Sequence, residues 1–374
     1  MKNSLLLPFL FGALAPSVLA EDVSRENLEK HVRTLASKEF AGRLHAGARK
    51  AEAYVQAAFE KAGLKTTIQE FAALGRFKGR NVIGILQAGN EPSVEHVILS
   101  AHYDHIGFKD GKLCPGASDN AAGVAALLEL ARLIKPPLKR DILFVGFDLE
   151  EFGFRGSIAY VKNPVRPLKE CAAFVTFDIL GRDLVDATNG VLFATGLEQS
   201  DTLFAAVNGV KKPDGLHLAY VGADTLEIPR LNIPGRSDYV PFRVAKVPYV
   251  FFSTGESLDY HQPTDTADRL SFDKLHREAR FLLSSCRAIA EAPRAKFLDK
   301  PALRVEEAST VETVLGQILA NRQKLGLDDM TFGMGQMFRA QLQQIAKRGK
   351  LEVFERQQMV FALQQLQEKL RGMR

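Results

Sequence analysis

The chain has 374 residues, 46% hydrophobic and 25% charged, ordinary for a globular protein and long enough for a large domain with a core, or a domain plus an appendage. Lys and Arg number 49 against 44 Asp and Glu, a formal charge of +5; with no dense basic run interleaved with aromatics, nucleic acid is excluded as the expected partner. Cys114, Cys171 and Cys286 allow at most one internal bridge, exclude a disulfide framework and match no CxxC metal site.

The first twenty residues carry a positive start (MKNS), an apolar core (LLLPFLFGALA) and small residues near a cut (SVLA). This is the pattern of a signal peptide cleaved after Ala20, so export to the periplasm or the medium is expected. The apolar run is too short to span a bilayer comfortably, no cysteine follows it to carry a lipid, and no later segment is apolar enough to cross a membrane.

Beyond the leader, 23–35 and 48–62 read as helices, the second with Ala51, Val55, Ala58 and Phe59 on one face. Between them lies SKEFAGRLHAG, a loop with two glycines. An alternation follows: strands over 81–87, 96–100, 141–147, 172–177, 191–194 and 248–252, and helices over 120–133, 157–161, 201–207 and 275–289. Strands alternating with helices predict an α/β protein, a mixed, mostly parallel central sheet with helices on both faces. Ligands of such sheets sit outside the carboxyl ends of the strands. From about Pro301 the strands stop, and 310–325, 334–348 and 351–371 are helical and rich in Gln, Lys and Arg. The expected organisation is a signal peptide (1–20), a main domain (21–300) and a helical extension (301–374). The extension would cap the main domain, or serve self-association or a partner contact.

The chemistry collects where strands end. One ends in His102, Asp104 and His105, the next in Asp148, Glu150 and Glu151, a third in Asp178; Asp119 precedes a helix, and STGESLDYHQPTDTAD supplies Asp259, Tyr260, His261, Asp265 and Asp268. Crowded carboxylates repel one another, and a divalent metal removes that penalty. Imidazole and carboxylate donors without thiolates suit an open, catalytic zinc site, and this many ligands suit two ions sharing a carboxylate. Of the adjacent Glu150 and Glu151, one can bind metal while the other acts as general base; the competing reading is solvated surface charge.

The ordered set AHYDHIG, GASDNAAGVAALLELAR, FVGFDLEEFGFRGS, VTFDILG, GRSDYVPF and YHQPTDT resembles the co-catalytic dinuclear zinc aminopeptidases of the secreted bacterial leucine aminopeptidase and aminopeptidase Y type, from about Glu39 to about Arg287. The resemblance implies hydrolysis of peptides at a free N-terminus. It implies one zinc on His102, Asp119 and Asp178 and a second on Asp119, Glu151 and His261, with Asp119 bridging, Asp104 behind His102 and Glu150 as general base. Asp119 also reads as a helix N-cap. Tyr260 resembles a tyrosine that donates to the carbonyl oxygen, or it packs in a pocket wall. Arg236 resembles an arginine aiding the same oxygen, Asp238 a loop-placing residue, and His105 a neighbour rather than a ligand. The other histidines, 31, 45, 96, 217 and 276, lie outside any motif and are expected on surfaces or helices. Glutaminyl cyclases share the fold but favour tryptophan in their pockets, and this chain has none. Another amidohydrolase or carboxypeptidase on the scaffold, or a non-catalytic binding module, are the remaining alternatives. The resemblance leaves no room for an inserted protease-associated domain, so segment 184–234 and the loop 108–114 are expected to set specificity.

Overall fold

A computed structural model describes residues 22–73, 78–183, 188, 190–226 and 235–371, with backbone alone for 366–371. The leader and, within the expected specificity segment 184–234, residues 184–187, 189 and 227–234 lie outside the described residues. The strands are β1 (Lys65–Ala72), β2 (Lys78–Leu86), β3 (His96–His102), β4 (Phe108–Lys109), β5 (Lys112–Leu113), β6 (Asp141–Phe147), β7 (Cys171–Phe177), β8 (Val191–Thr195), β9 (His217–Tyr220) and β10 (Tyr249–Ser253). The helices are α1 (Arg25–Leu35), α2 (Ala46–Lys61), α3 (Ala122–Leu133), α4 (Arg155–Lys162), α5 (Asp201–Asn208), α6 (Tyr239–Val244), α7 (Phe272–Glu291), α8 (Val305–Ala320), α9 (Asp329–Arg348) and α10 (Val353–Arg371). No described helix is long and apolar enough to cross a membrane.

Eight strands form one sheet in the order β1-β2-β6-β3-β7-β10-β8-β9, and β4 with β5 makes a separate hairpin. The centre, β6-β3-β7-β10, is parallel; β1, β2 and β8 pair antiparallel to their inner neighbours. β3, β6 and β7 are buried along their whole length, as their continuous apolar runs require of strands covered on both faces. Val97, Leu99 and Phe144 face a core shared with α1, α2, α3 and α7. Ile98, Leu143 and Phe147 face the other layer, where Tyr160 of α4 and Phe242 of α6 pack. His96 opens β3 fully buried, against the expectation of a surface or helical place, and burial pushes its imidazole down to about 4. His217 is exposed, as expected of a surface residue, at the start of β9. All three cysteines are buried and free.

The C-terminal helices pack on the sheet. Val314 and Ile318 of α8 meet Val191 and Ala219 of β8 and β9, while Val311 and Leu315 face Leu342, Ile345 and Met359 of α9 and α10. Arg356 of α10 forks onto Asp224 (2.6 and 2.9 Å) and reaches Glu307 of α8 at 2.9 Å. Glu307 in turn accepts from the Gly222 N–H at 2.8 Å. A planar guanidinium suits this two-sided pairing better than an ammonium would.

Beside that cluster Glu198 is buried, accepting from the N–H groups of Gly196 and Ala223. Burial, aided by Glu307 and opposed by Arg356, pushes its carboxyl up to about 7. An acid whose folded pKa is raised stabilises most below its unfolded value of 4.5, and that contribution falls as pH rises through 7. Urea unfolding of Glu198→Gln should therefore gain on the wild type by on the order of 2–3 kcal/mol between pH 5 and pH 8. A difference that stays flat across this range would contradict the buried acid.

Candidate metal centre

Three parallel strands deliver their ends to one rim, as the topology demands. β3 ends in His102, with Asp104 and His105 two and three residues on; β6 is followed by Glu150 and Glu151, and β7 by Asp178. Asp119 enters from the turn before α3, and His261 from the loop after β10. Among the described residues, ligand atoms converge in two groups, each within 4.8 Å: His102, Asp119 and Asp178; and His105, Asp119, Glu151 and His261. Asp119 belongs to both. Glu150 belongs to neither, although it lines the same cavity beside Asp119 and Asp178.

His102 Nε2 lies 3.1 Å from Asp178 Oδ1 and 3.4 Å from Asp119 Oδ1. His261 Nε2 lies 2.8 Å from Glu151 Oε2 and 3.2 Å from Asp119 Oδ2, yet its angles make a hydrogen bond to neither, and Asp119 Oδ2 itself has no hydrogen-bond partner. His102 Nε2 and Asp178 Oδ1 do hydrogen-bond, but His261 Nε2 and Asp119 Oδ2, close together and without hydrogen bonds, are placed to share a cation. Three carboxylates and three imidazoles without a thiolate are a donor set for zinc-like cations.

The charges in the cluster push against one another. Burial raises Glu150 well above the usual carboxylate range; His102 opposes this, and Asp178, Asp238 and Glu151 add to it. Burial would raise Glu151 too, but the adjacent imidazoles of His105 and His261 outweigh it and hold the carboxyl well below its ordinary value. His261 is driven the other way, up to about 10, because Asp119 and Glu151 outweigh the cost of burying its cation.

His105 was expected as a neighbour, and the structure draws its Nδ1 to 2.7 Å from Glu151 Oε1 and 3.8 Å from Asp119 Oδ2. Asp104 lies behind His102, with Oδ1 3.5 Å from Nδ1, but its oxygens accept from the Glu150 and Glu151 N–H groups at 3.1 and 3.3 Å. Asp104 thus holds the backbone of both glutamates. Asp119 does not cap α3: the cap residue is Ala121, and Asn120 Oδ1 accepts from the Gly123 N–H instead. Asn120 Nδ2 donates to the Phe177 carbonyl, tying this turn to the end of β7. Tyr260 stacks on His261 with ring centroids 3.9 Å apart and lines the cavity. Arg236 lines it too, 3.3 Å from Glu256. Asp238 is fully buried nearby, and burial pushes its carboxyl up to about 7.

Two of the strand-end acids turn away. Asp148 pairs with Arg49 and accepts from the Arg80 N–H. Asp259 is taken by Arg182, Arg269 and Thr264. Exposed Asp268 pairs with Arg33. Asp265 instead grips the Asp119 turn, accepting from the Ser118 N–H and hydroxyl and the Asp119 N–H at 2.9–3.2 Å.

The unforeseen residue is Arg43, from the loop with two glycines. It is fully buried and donates to five carbonyls: Leu35, Tyr103, Pro115, Gly116 and Asp119, at 2.7–3.1 Å. With Asp265 on its N–H and Arg43 on its carbonyl, Asp119 is held from both sides. Close approach makes this possible. Gly42 has φ +63, and a Cβ there would stand 2.5 Å from the Gly107 carbonyl oxygen; at Gly116 (φ +62) it would stand 2.2 Å from that of Asp119.

The model of peptidase family M28 matches residues 81–285, more than half of the chain, and the chain belongs to that family. It is 29% identical over 230 residues to aminopeptidase YwaD of Bacillus subtilis, covering 59% of this chain and 47% of that protein. It is 30% identical over 234 residues to the probable lipoprotein aminopeptidase LpqL of Mycobacterium tuberculosis, covering 55% and 44%. The chain thus spans less than half the length of these two relatives. Its fold is that of the zinc aminopeptidase BSAP from Bacillus subtilis (TM-score 0.60, 16% identity, 75% of this chain and 99% of that one). It is also that of the glutaminyl cyclase from Porphyromonas gingivalis (TM-score 0.58, 18% identity, 71% and 99%).

Proposed function

We propose that the protein is an exported zinc-dependent aminopeptidase that removes N-terminal residues from peptides with two metal ions. The observation that carries this reading is the pair of ligand groups sharing Asp119, with an acid, Glu150, beside both and in neither. His102, Asp119 and Asp178 would hold one zinc, and Asp119, Glu151 and His261 the other. When bound, the ions supply Lewis acidity to the scissile carbonyl and lower the pKa of water at the site. Glu150 takes the proton of the attacking water and passes it to the leaving amine nitrogen. Asp104 keeps Glu150 and Glu151 in place through their N–H groups, and Tyr260 donates to the oxygen on which charge develops. Export rests on the N-terminal pattern alone.

Elemental analysis should return two zinc ions per chain. Prolonged chelation should abolish hydrolysis of aminoacyl-4-nitroanilides, and readded zinc restore it. Saturating metal should also raise the melting temperature, since at 1,000 times its dissociation constant a ligand adds about 4 kcal/mol to the folded state. One zinc per chain, with ammonia released from N-terminal glutaminyl peptides and no hydrolysis, would replace the peptidase by the cyclase that shares its fold.

A further inference from the structure

Resting on the peptidase reading above, we propose that helix α8, outside the segment matched by the family, walls the pocket for the substrate's first side chain and makes the site selective for a large apolar residue there. A cavity of about 160 Å3 is continuous with Asp119, Glu150 and Asp178 and runs between the sheet and the C-terminal helices. Its floor is one face of β10, β8 and β9. Phe251 and Ser253, Phe193 and Thr195, and Ala219 line it, each pair two residues apart on its strand and so on one side. The register agrees: Phe251 lies opposite Thr195, and Ser253 and Ala219 flank Phe193.

The roof comes from α8. Val311, Val314, Leu315 and Ile318 line the cavity at the spacing that puts them on one helix face, and Leu363 of α10 joins them. The family match ends at residue 285, so every one of these roof residues lies beyond it. The wall is held in place twice, by Arg356 across Glu307 and Asp224 and by Thr310, whose hydroxyl accepts from the Tyr220 N–H of β9 at 3.0 Å.

The lining chemistry selects the occupant. Among the described residues its charged side chains are Asp119 and Asp178 of the ligand groups, Glu150 beside them, and Arg236 with Glu256, which pair with each other. A lysyl or glutamyl side chain would shed its water with no partner among the described residues reserved for its charge, which is costly. A cavity of roughly 150 Å3 lined by Leu, Ile and Phe is large enough for benzene, so a leucyl or phenylalanyl side chain fills this one and an alanyl side chain leaves it mostly empty.

The test uses the full-length zinc-loaded chain with leucyl-, phenylalanyl-, alanyl-, lysyl- and glutamyl-4-nitroanilides. The expected kcat/KM for leucine or phenylalanine exceeds that for alanine by on the order of 100-fold, with lysine and glutamate lower still. Val314→Trp, which fills the cavity from the α8 side, should cut the leucyl-to-alanyl ratio by at least about ten-fold, and Val314→Ala should raise the phenylalanyl-to-leucyl ratio. Either variant alone suffices if the other fails to fold, judged by its melting temperature and zinc content. Free L-leucine should raise the wild-type melting temperature more than L-alanine does, and Val314→Trp should erase that difference. Turnover without a leucyl preference, or ratios and thermal shifts unmoved by both variants, would overturn the α8 wall and leave the peptidase reading standing. No turnover of any substrate by the zinc-loaded chain would overturn both.

Discussion

Glu150→Gln is expected to lower kcat by about 10²–10⁴-fold, the range of a general acid–base group, while the metal content stays that of the wild type. Glu150 is buried next to both ligand groups but contributes no atom to either. Its N–H is fixed on Asp104 at 3.1 Å, so the amide variant should keep its place. Glutamine can occupy the same volume and cannot take a proton. Glu151→Gln is the contrasting variant: its carboxylate belongs to the second group, with His261 Nε2 2.8 Å away, so that change should lower bound zinc as well as rate. Parallel measurement of kcat and of zinc by elemental analysis separates the two roles. A Glu150→Gln enzyme within tenfold of wild type would mean that another group moves the proton.

Arg43→Met should be the most destabilising single change away from the ligands themselves. It strips the donors from five carbonyls around a fully buried side chain. A buried acceptor left without a partner costs about 1–3 kcal/mol, and the losses overlap because the groups share one neighbourhood, so a net loss of about 4–5 kcal/mol is expected. It also removes the cation facing Asp119, Asp265 and Asp104. Thermal melts should fall by about 10 °C or more, and zinc affinity should fall with them because the Asp119 turn loses its grip. Arg43→Lys should rescue little, since one ammonium has three donors at a single point and cannot span these carbonyls. A methionine variant with a wild-type melt and full zinc would show that water replaces the guanidinium.

The centre of the sheet was legible because buried parallel strands advertise themselves. DILFVGF and AAFVTF can only be strands or short buried helices, and the polar residues after them marked the rim. What escaped notice has physical reasons. β1, KTTIQEFA, lies at an edge with both faces partly exposed, so it carries no apolar alternation. β9 has four residues, too few for any period to register. The site was legible in its residue types and its ordered motifs but not in direction. Asp148 and Glu150 leave the same strand two residues apart, and only the turn there, with Leu149 at φ +56, decides that one faces Arg49 and the other the cavity. Arg43 was invisible because an arginine among glycines reads as a solvated loop, and its five partners come from separate stretches of chain.

β9 ends the sheet, and the outward row of its backbone groups would otherwise be an invitation to another strand. Thr310 meets Tyr220 there and Glu307 meets Gly222 just beyond, while Val314 and Ile318 cover the apolar side. The C-terminal helices therefore also cover the edge that another strand would use. A chain shortened at residue 301 would present a raw edge and an uncovered apolar face together, and its loss of activity would report self-association of strands before it reported anything about catalysis.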